Sequence, residues 1–271
     1  MNETDKKIPF RSKIKKWMLG LLPERVHMAI GRRRARKGDK ARGIPELTKR
    51  LVNKHGRDVR RGPFSGMHYV SAAHSSSYIP KLLGSYEEEL HGVIESYRQQ
   101  NYSLIIDIGS AEGYYAVGMA LLNSARVLAF ELDPVARKLC RQLAHINKVQ
   151  ERIDVVGRCT IDALALIRDE GKILVICDCE GFEYKLLYPE RIPWMKHCDL
   201  LVELHRADNP GDMESFMTRF QATHTVERIC TRPRDPSYYP ELEGWDIADQ
   251  ENALGEFRAY HQEWAILTAR A

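Results

Sequence analysis

The run Asp107-Ile108-Gly109-Ser110-Ala111-Glu112-Gly113 follows an apolar stretch and sets an acid two residues ahead of a G-x-x-x-G pair. Glycines there let a backbone turn sharply and approach a ligand where side chains would collide. A helix opening just beyond would add unpaired N–H groups in its first turn. A dinucleotide site would instead read G-x-G-x-x-G, with an acid about 20 residues on. No central glycine is present to admit a pyrophosphate, and the lysine of a P-loop is missing. The leading acid, Asp107, suits a cationic amino group such as that of the methionine moiety of S-adenosylmethionine. Glu131, 18 residues after Gly113, closes the next apolar stretch, where a carboxylate can accept from ribose hydroxyls. The predicted cofactor residues are therefore Asp107, Gly109, Ser110, Ala111, Gly113 and Glu131. Cys159, within Gly157-Arg158-Cys159-Thr160, is expected beside the adenine.

Methyl transfer needs in-line alignment of an acceptor with a sulfonium methyl, and a hydroxyl acceptor benefits from a base within hydrogen-bond reach. Asp178 stands at the end of a later apolar stretch and is the first expected base or acceptor-orienting group. Glu180 and Glu183 are three residues apart and can share one face of a helical turn. Glu203 and His205 alternate along a strand and so point to one side, and a histidine titrates near neutrality. Asp178, Glu180 and His205 are read as catalytic, and Glu183, Glu203 and Tyr239 as substrate-binding. Plainer roles stand beside these: a carboxylate capping a turn, a histidine that only packs, a tyrosine in the core. The oxygen-rich cluster also permits a hard divalent ion, but no resident metal is expected.

These residues need a scaffold, and the alternation of apolar strands with helical patterns supplies one. Strands are predicted at 104–108, 126–131, 153–156, 172–177, 200–204, 226–231 and 261–268. Helices are predicted at 114–123, 134–147, 161–169 and 213–223, with Asp133-Pro134 as N-cap and first residue of the second. A helix to about residue 100 is expected to open at Ser85, with Glu88 completing a capping box. The result is a Rossmann-like α/β fold: a mostly parallel seven-stranded sheet with helices on both faces. The Pro- and acid-rich stretch 232–257, with Tyr238, Trp245 and nearby Tyr260, is expected to face substrate.

Charge divides the chain. Residues 1–61 hold 20 Lys and Arg against 6 Asp and Glu, leaving −10 on the remainder of a chain whose net charge is +4. The predicted organisation is a basic extension over 1–61 and a catalytic domain over 62–271, with lid helices at 62–100 and a core at 101–271. Within the extension, Ile14, Trp17, Met18 and Leu21 recur at helical spacing among Arg11, Lys13, Lys15 and Lys16. Peripheral contact of 8–22 with anionic lipid is one reading, and docking on protein is the other. Arg32-Arg33-Arg34-Ala35-Arg36-Lys37 lacks the interleaved aromatics of a nucleic-acid platform, so nucleic acid is not the expected partner. A homodimer is compatible with the sequence. Lacking an apolar leader, the chain is expected in the cytoplasm, at most against the inner membrane surface. The six cysteines have neither zinc-site pairing nor disulfide density and read as reduced.

Three segments carry a family resemblance: Ile106–Tyr115, Asp178-Cys179-Glu180-Gly181-Phe182-Glu183 and Val202-Glu203-Leu204-His205. Over residues 100–205 the chain resembles the FkbM-type branch of class I S-adenosylmethionine-dependent methyltransferases, whose D-x-E-G-x-E signature the second segment matches. The resemblance implies O-methylation of a hydroxyl on a sugar, glycan or other small natural product. Glu112 departs from it, since many relatives carry a neutral residue there, and the basic extension lies outside it. Two alternatives stay open: a cofactor-binding protein without catalysis that recruits partners, and an RNA or protein methyltransferase using the basic arm. The N-P-P-Y-like element of N-methyltransferases is absent after the fourth predicted strand, where Asp178-Cys179-Glu180-Gly181 stands.

Overall fold

The computed structural model describes residues 24–74, 76–168, 171–205, 211–258 and 261–270. The stretch 8–22 and Tyr260 lie outside the described residues. The chain divides into two compact units, Met1–Arg42 and Gly43–Ala271. In the first, helix α1 (Glu24–Ala41) exposes Arg33, Arg34, Arg36, Lys37 and Lys40. Among the described residues no helix is long and apolar enough to cross a membrane.

The boundary at Arg42 falls earlier than the position 61 suggested by charge. Helix α2 (Ile44–His55) buries Leu47 and Leu51, one turn apart, in the core of the second unit, and Val59 follows them. Charge reports on a helix's solvent side, whereas unit membership is decided by its buried stripe.

The described strands of the second unit are β1 (Tyr102–Ile108), β2 (Arg126–Phe130), β3 (Ile153–Val156), β4 (Lys172–Cys177), β5 (Asp199–Leu204), β6 (His224–Cys230) and β7 (Glu263–Ala269). They form one sheet in the order β3-β2-β1-β4-β5-β7-β6. β1 to β5 pair in parallel, and β7 runs antiparallel to both β5 and β6. Side chains alternate across a strand, and both faces are covered. Ile105, Leu174, Ile176 and Leu201 join one core, while Ile106, Ile108, Ile173, Val175, Leu200 and Val202 join the other. Strands buried on both faces explain the near-continuous apolar runs. Strand order reverses between β1 and β4, and the crevice at the carboxyl ends of such a pair is where open α/β sheets bind ligands.

Helices α5 (Tyr114–Leu122) and α6 (Pro134–Ile146) follow β1 and β2. The Asp133 side chain caps α6 by accepting from the Val135 amide at 2.8 Å, as its sequence predicts. Helix α7 (Ile161–Ala165) is shorter than expected, and α8 (Glu183–Leu186) and α9 (Asp212–Phe220) flank β5.

The capping box at Ser85 does not form. Helix α3 (Tyr78–Leu83) stops at left-handed Gly84, a 3-10 turn covers Glu88–Leu90, and α4 runs from His91 to Arg98. Glu87 is left-handed at φ 48° and buried. It accepts from Arg258 and Tyr115, while Arg234 grips Glu89 at 2.7 and 2.8 Å. Tertiary ion pairs outweigh a cap whose loss costs only about 1 kcal/mol.

The stretch 232–257 builds core rather than an open loop. Tyr239, Leu242, Trp245, Ala253 and Leu254 are buried, the last two on helix α10 (Ile247–Leu254).

Candidate active site

The glycine turn leaves β1 with Gly109 at φ 87°, its amide donating to Phe130 O at 2.8 Å. A Cβ at 109 would lie 1.7 Å from the Asp178 carbonyl oxygen, so the turn after β1 and the segment after β4 touch where only glycine fits. At Gly113, with φ 96°, a Cβ would lie 2.7 Å from the Cys140 sulfur. Ala111 is left-handed at φ 47° without being glycine, a conformation that costs roughly 1–2 kcal/mol. Its amide donates to Glu131 Oε2 at 2.9 Å, and the Asp133 amide donates to Oε1 at 2.6 Å. Glu131 thus holds the turn, and being half-buried it keeps lone pairs for hydroxyl donors.

Asp107 is buried, and its Oδ2 has no hydrogen-bond partner. Burial, and then the charge of Asp178, push its carboxyl up to about 8. Ser110 Oγ is buried and unpartnered as well. Unsatisfied polar atoms beside a glycine cradle are what a polar, cationic ligand would complete. The residues present therefore fit the aminocarboxyl end of S-adenosylmethionine. Cys159 is half-buried against the core, and burial pushes its thiol up to about 12, so it offers a neutral surface.

Glu112 turns away from the crevice. It is fully buried and accepts from Tyr69 OH at 2.6 Å, Lys81 Nζ at 2.6 Å and the His74 amide at 2.9 Å. Burial alone would raise its carboxyl. The Lys81 charge, with the Tyr69 and His74 hydrogen bonds, prevails and holds it below the ordinary range. His74 reaches on to Asp133 at 3.2 Å. Glu112 is therefore a tie between the turn and the 69–81 segment.

On the acceptor side, Asp178, Glu180, Glu183, Glu203 and His205 come together. His205 Nε2 lies 3.6 Å from Asp178 Oδ1, 3.6 Å from Glu180 Oε2 and 3.8 Å from Glu203 Oε1. Glu180 is left-handed at φ 56° with a solvent-exposed carboxylate. Partial desolvation and then the Glu180 charge push Asp178 upward, against His205. Glu203 is buried, and burial, with Asp178 and Glu87, lifts it to about 11 although Arg258 Nη1 sits 2.7 Å away. Burial opposes a charge on His205, but the carboxylates of Glu183, Asp178 and Glu180 prevail and raise it. The imidazole therefore keeps a proton more readily than a free histidine.

Two predicted substrate contacts land elsewhere. Glu183 is wholly buried and accepts from the Gly181 and His205 amides at 2.9 and 3.1 Å, with His205 Nδ1 at 3.3 Å. It sets the loop and the imidazole instead of meeting substrate, because both its oxygens are used from behind. Tyr239 is buried, its hydroxyl donates to Glu88 at 2.9 Å, and Arg61 lies over its ring. The structure also adds residues that spacing did not single out. Lys81, Glu87, Arg234 and Arg258 form the shell behind the site. Their signal was the unbalanced acids Glu87, Glu88, Glu89 and Glu112, since buried carboxylates require cations.

Residues 91–176 match the family model of ribosomal protein L11 methyltransferase. Curated relatives include the ribosomal protein L11 methyltransferase of Carboxydothermus hydrogenoformans, 34% identical over 53 residues, covering 20% of this chain and 17% of that protein. That of Desulforamulus reducens is 31% identical over 111 residues, covering 41% and 33%. The chain thus spans a third or less of these relatives' length. Among solved structures, a precorrin-6y C5,15-methyltransferase from Geobacter metallireducens has a TM-score of 0.48 at 14% identity, covering 74% of this chain and 93% of that one. A Streptomyces achromogenes O-methyltransferase of tomaymycin synthesis, solved with SAM, has a TM-score of 0.44 at 17% identity, covering 70% and 83%. The matched family segment ends at residue 176, before Asp178. In strand order, and in the glycine turn seated between β1 and β4, the unit Gly43–Ala271 has the Rossmann-like fold of class I methyltransferases.

Proposed function

We propose that this chain is an S-adenosylmethionine-dependent methyltransferase that methylates an oxygen acceptor, on the FkbM-type plan, with a sugar, glycan or other small hydroxylated compound as substrate. One observation carries the reading: Gly109 packs on the Asp178 carbonyl, so a cofactor seated on the turn lies beside the Asp178–Glu203–His205 cluster. S-adenosylmethionine, when bound, supplies the methyl group as an electrophilic sulfonium. Asp107 meets its amino group, Glu131 its ribose, and Gly109 and Gly113 allow the close approach. Asp178, with its raised affinity for a proton, takes the acceptor's hydroxyl proton. His205, with its position set by Glu183, orients Asp178 and the acceptor. Glu180, exposed at the rim, meets the substrate.

The likeness to L11 methyltransferases supports a second reading, methylation of a protein. That likeness lies in the cofactor half, whereas the acceptor half carries four carboxylates around an imidazole, which suit hydroxyl donors. Peripheral membrane contact through residues 8–22 belongs to the proposal as well, since a basic stretch beside a glycan enzyme would hold it near lipid-linked acceptors.

Calorimetry tests the cofactor assignment. S-adenosylmethionine and S-adenosylhomocysteine should bind saturably, and Asp107→Ala should weaken binding by roughly 10- to 100-fold, the loss of one charged hydrogen bond. Absence of heat from folded protein would defeat the proposal.

A further inference from the structure

The position of His205 is unusual for an ion-paired histidine. Its Nε2 faces oxygens of Asp178, Glu180 and Glu203 at 3.6, 3.6 and 3.8 Å, all beyond the 2.7–3.2 Å of an N–H···O hydrogen bond. Ligand atoms of Asp178, Glu203 and His205 lie within 4.8 Å of one another. The nitrogen therefore looks across a gap ringed by oxygens. An ion with bonds of about 2.0–2.2 Å holds neighbouring ligand atoms roughly 3.0–3.5 Å apart. Shifts of a few tenths of an ångström would bring three of these groups onto one centre.

A second observation concerns the ring itself. The His205 side chain is nine-tenths buried, at 10% exposure, and its Nε2 points into that gap with no carboxylate oxygen nearer than 3.6 Å. Behind its Nδ1, at 3.3 Å, stands the carboxylate of Glu183, fixed by the Gly181 and His205 amides. A carboxylate behind the far nitrogen is the usual support of a metal-bound imidazole, fixing its tautomer and aim. Glu203 is held from its other side by Arg258 at 2.7 Å. The groups come from two adjacent elements, the end of β4 and the end of β5, so the sheet positions them without a ligand.

We infer that Asp178, Glu203 and His205 bind a divalent transition-metal ion, with Glu180 able to join from the rim. One imidazole with two or three carboxylates suits Mn2+ better than Mg2+, which favours oxygen and water alone. Bound there, the ion would hold an acceptor oxygen beside the cofactor turn and lower its pKa. That role rests on the proposed methyl transfer, while occupancy of the site does not.

The test is a titration of MnCl2 into chelator-treated full-length protein, without cofactor or acceptor. One saturable site is expected, with a melting temperature that rises with Mn2+ concentration. His205→Ala, Asp178→Asn and Glu203→Gln should each weaken Mn2+ affinity at least about tenfold. S-adenosylhomocysteine affinity should remain within about threefold of the parent, a shift under 1 kcal/mol. If His205→Ala loses its circular-dichroism signal, the two isosteric variants carry the comparison. No saturable Mn2+ binding by folded protein, or equal affinity in folded variants, overturns the inference. Mn2+ binding without S-adenosylhomocysteine binding would keep the metal site and defeat the methyltransferase reading.

Discussion

At the scale of single residues, the crevice sets apart carboxylates of one chemical type by their surroundings. Glu183 is held low by amides and His205, Glu203 is raised by burial beside Asp178, and Asp178 is displaced upward between them. Divergent proton affinities within a crevice mark division of labour. Asp178→Asn should lower turnover by roughly 10²- to 10⁴-fold, the usual worth of a positioned base, with cofactor affinity nearly unchanged. Steady-state rates and calorimetry on the same preparation check both halves. Normal turnover would remove Asp178 as the proton acceptor.

At the scale of elements, the glycine turn is held by two contacts of opposite character. One is steric, Gly109 against Asp178 O. Gly109→Ala should cost more than about 2 kcal/mol, since left-handed strain alone accounts for 1–2 and the clash is with backbone. Gly157→Ala, where no atom lies within 4 Å of a new Cβ, should leave the melting temperature almost unchanged and serves as control. The other contact is electrostatic. Lys81 and Glu112 form a buried pair at 2.6 Å, and removing one partner of such a pair costs about 3–5 kcal/mol. Lys81→Met should approach that loss, and Lys81→Met with Glu112→Gln should recover part of it. The pH dependence has a definite sign. Glu112 has a folded pKa below its unfolded one, so its contribution is present above the unfolded value of about 4.3 and fades as pH falls through the folded value. Wild-type protein should lose more stability between pH 7 and pH 3 than Glu112→Gln, read as urea midpoints. Equal losses would show that the pair is not ionised.

At the scale of the molecule, the unit Gly43–Ala271 carries the sheet, both cores and the site, while Met1–Arg42 stands as a separate compact unit. Deleting residues 1–42 should therefore leave S-adenosylhomocysteine affinity within a few-fold. The exposed cations of α1 predict a different loss. Vesicles containing anionic lipid should sediment the full chain but not the truncated one, and salt should weaken the association, because each Lys or Arg near such a surface contributes about 1 kcal/mol that is screened within a Debye length. Equal sedimentation of both chains would remove membrane contact from the proposal.

The sequence by itself determined the sheet strands and the turn between β1 and α5. Both depend on neighbours a few residues apart: apolar runs for strands buried on two faces, glycine where the backbone must be left-handed. Asp107, Glu131, Asp178, Glu203 and His205 were legible for the same reason, since strand ends in an α/β sheet converge on one edge. Only the tertiary structure decided what Glu112, Glu183 and Tyr239 do, and that the expected helix cap at Ser85 fails. A carboxylate's task depends on which cation or amide reaches it, and Lys81, Arg234 and Arg258 arrive from segments distant in the chain. Local pattern records the need for a partner, and folding chooses it.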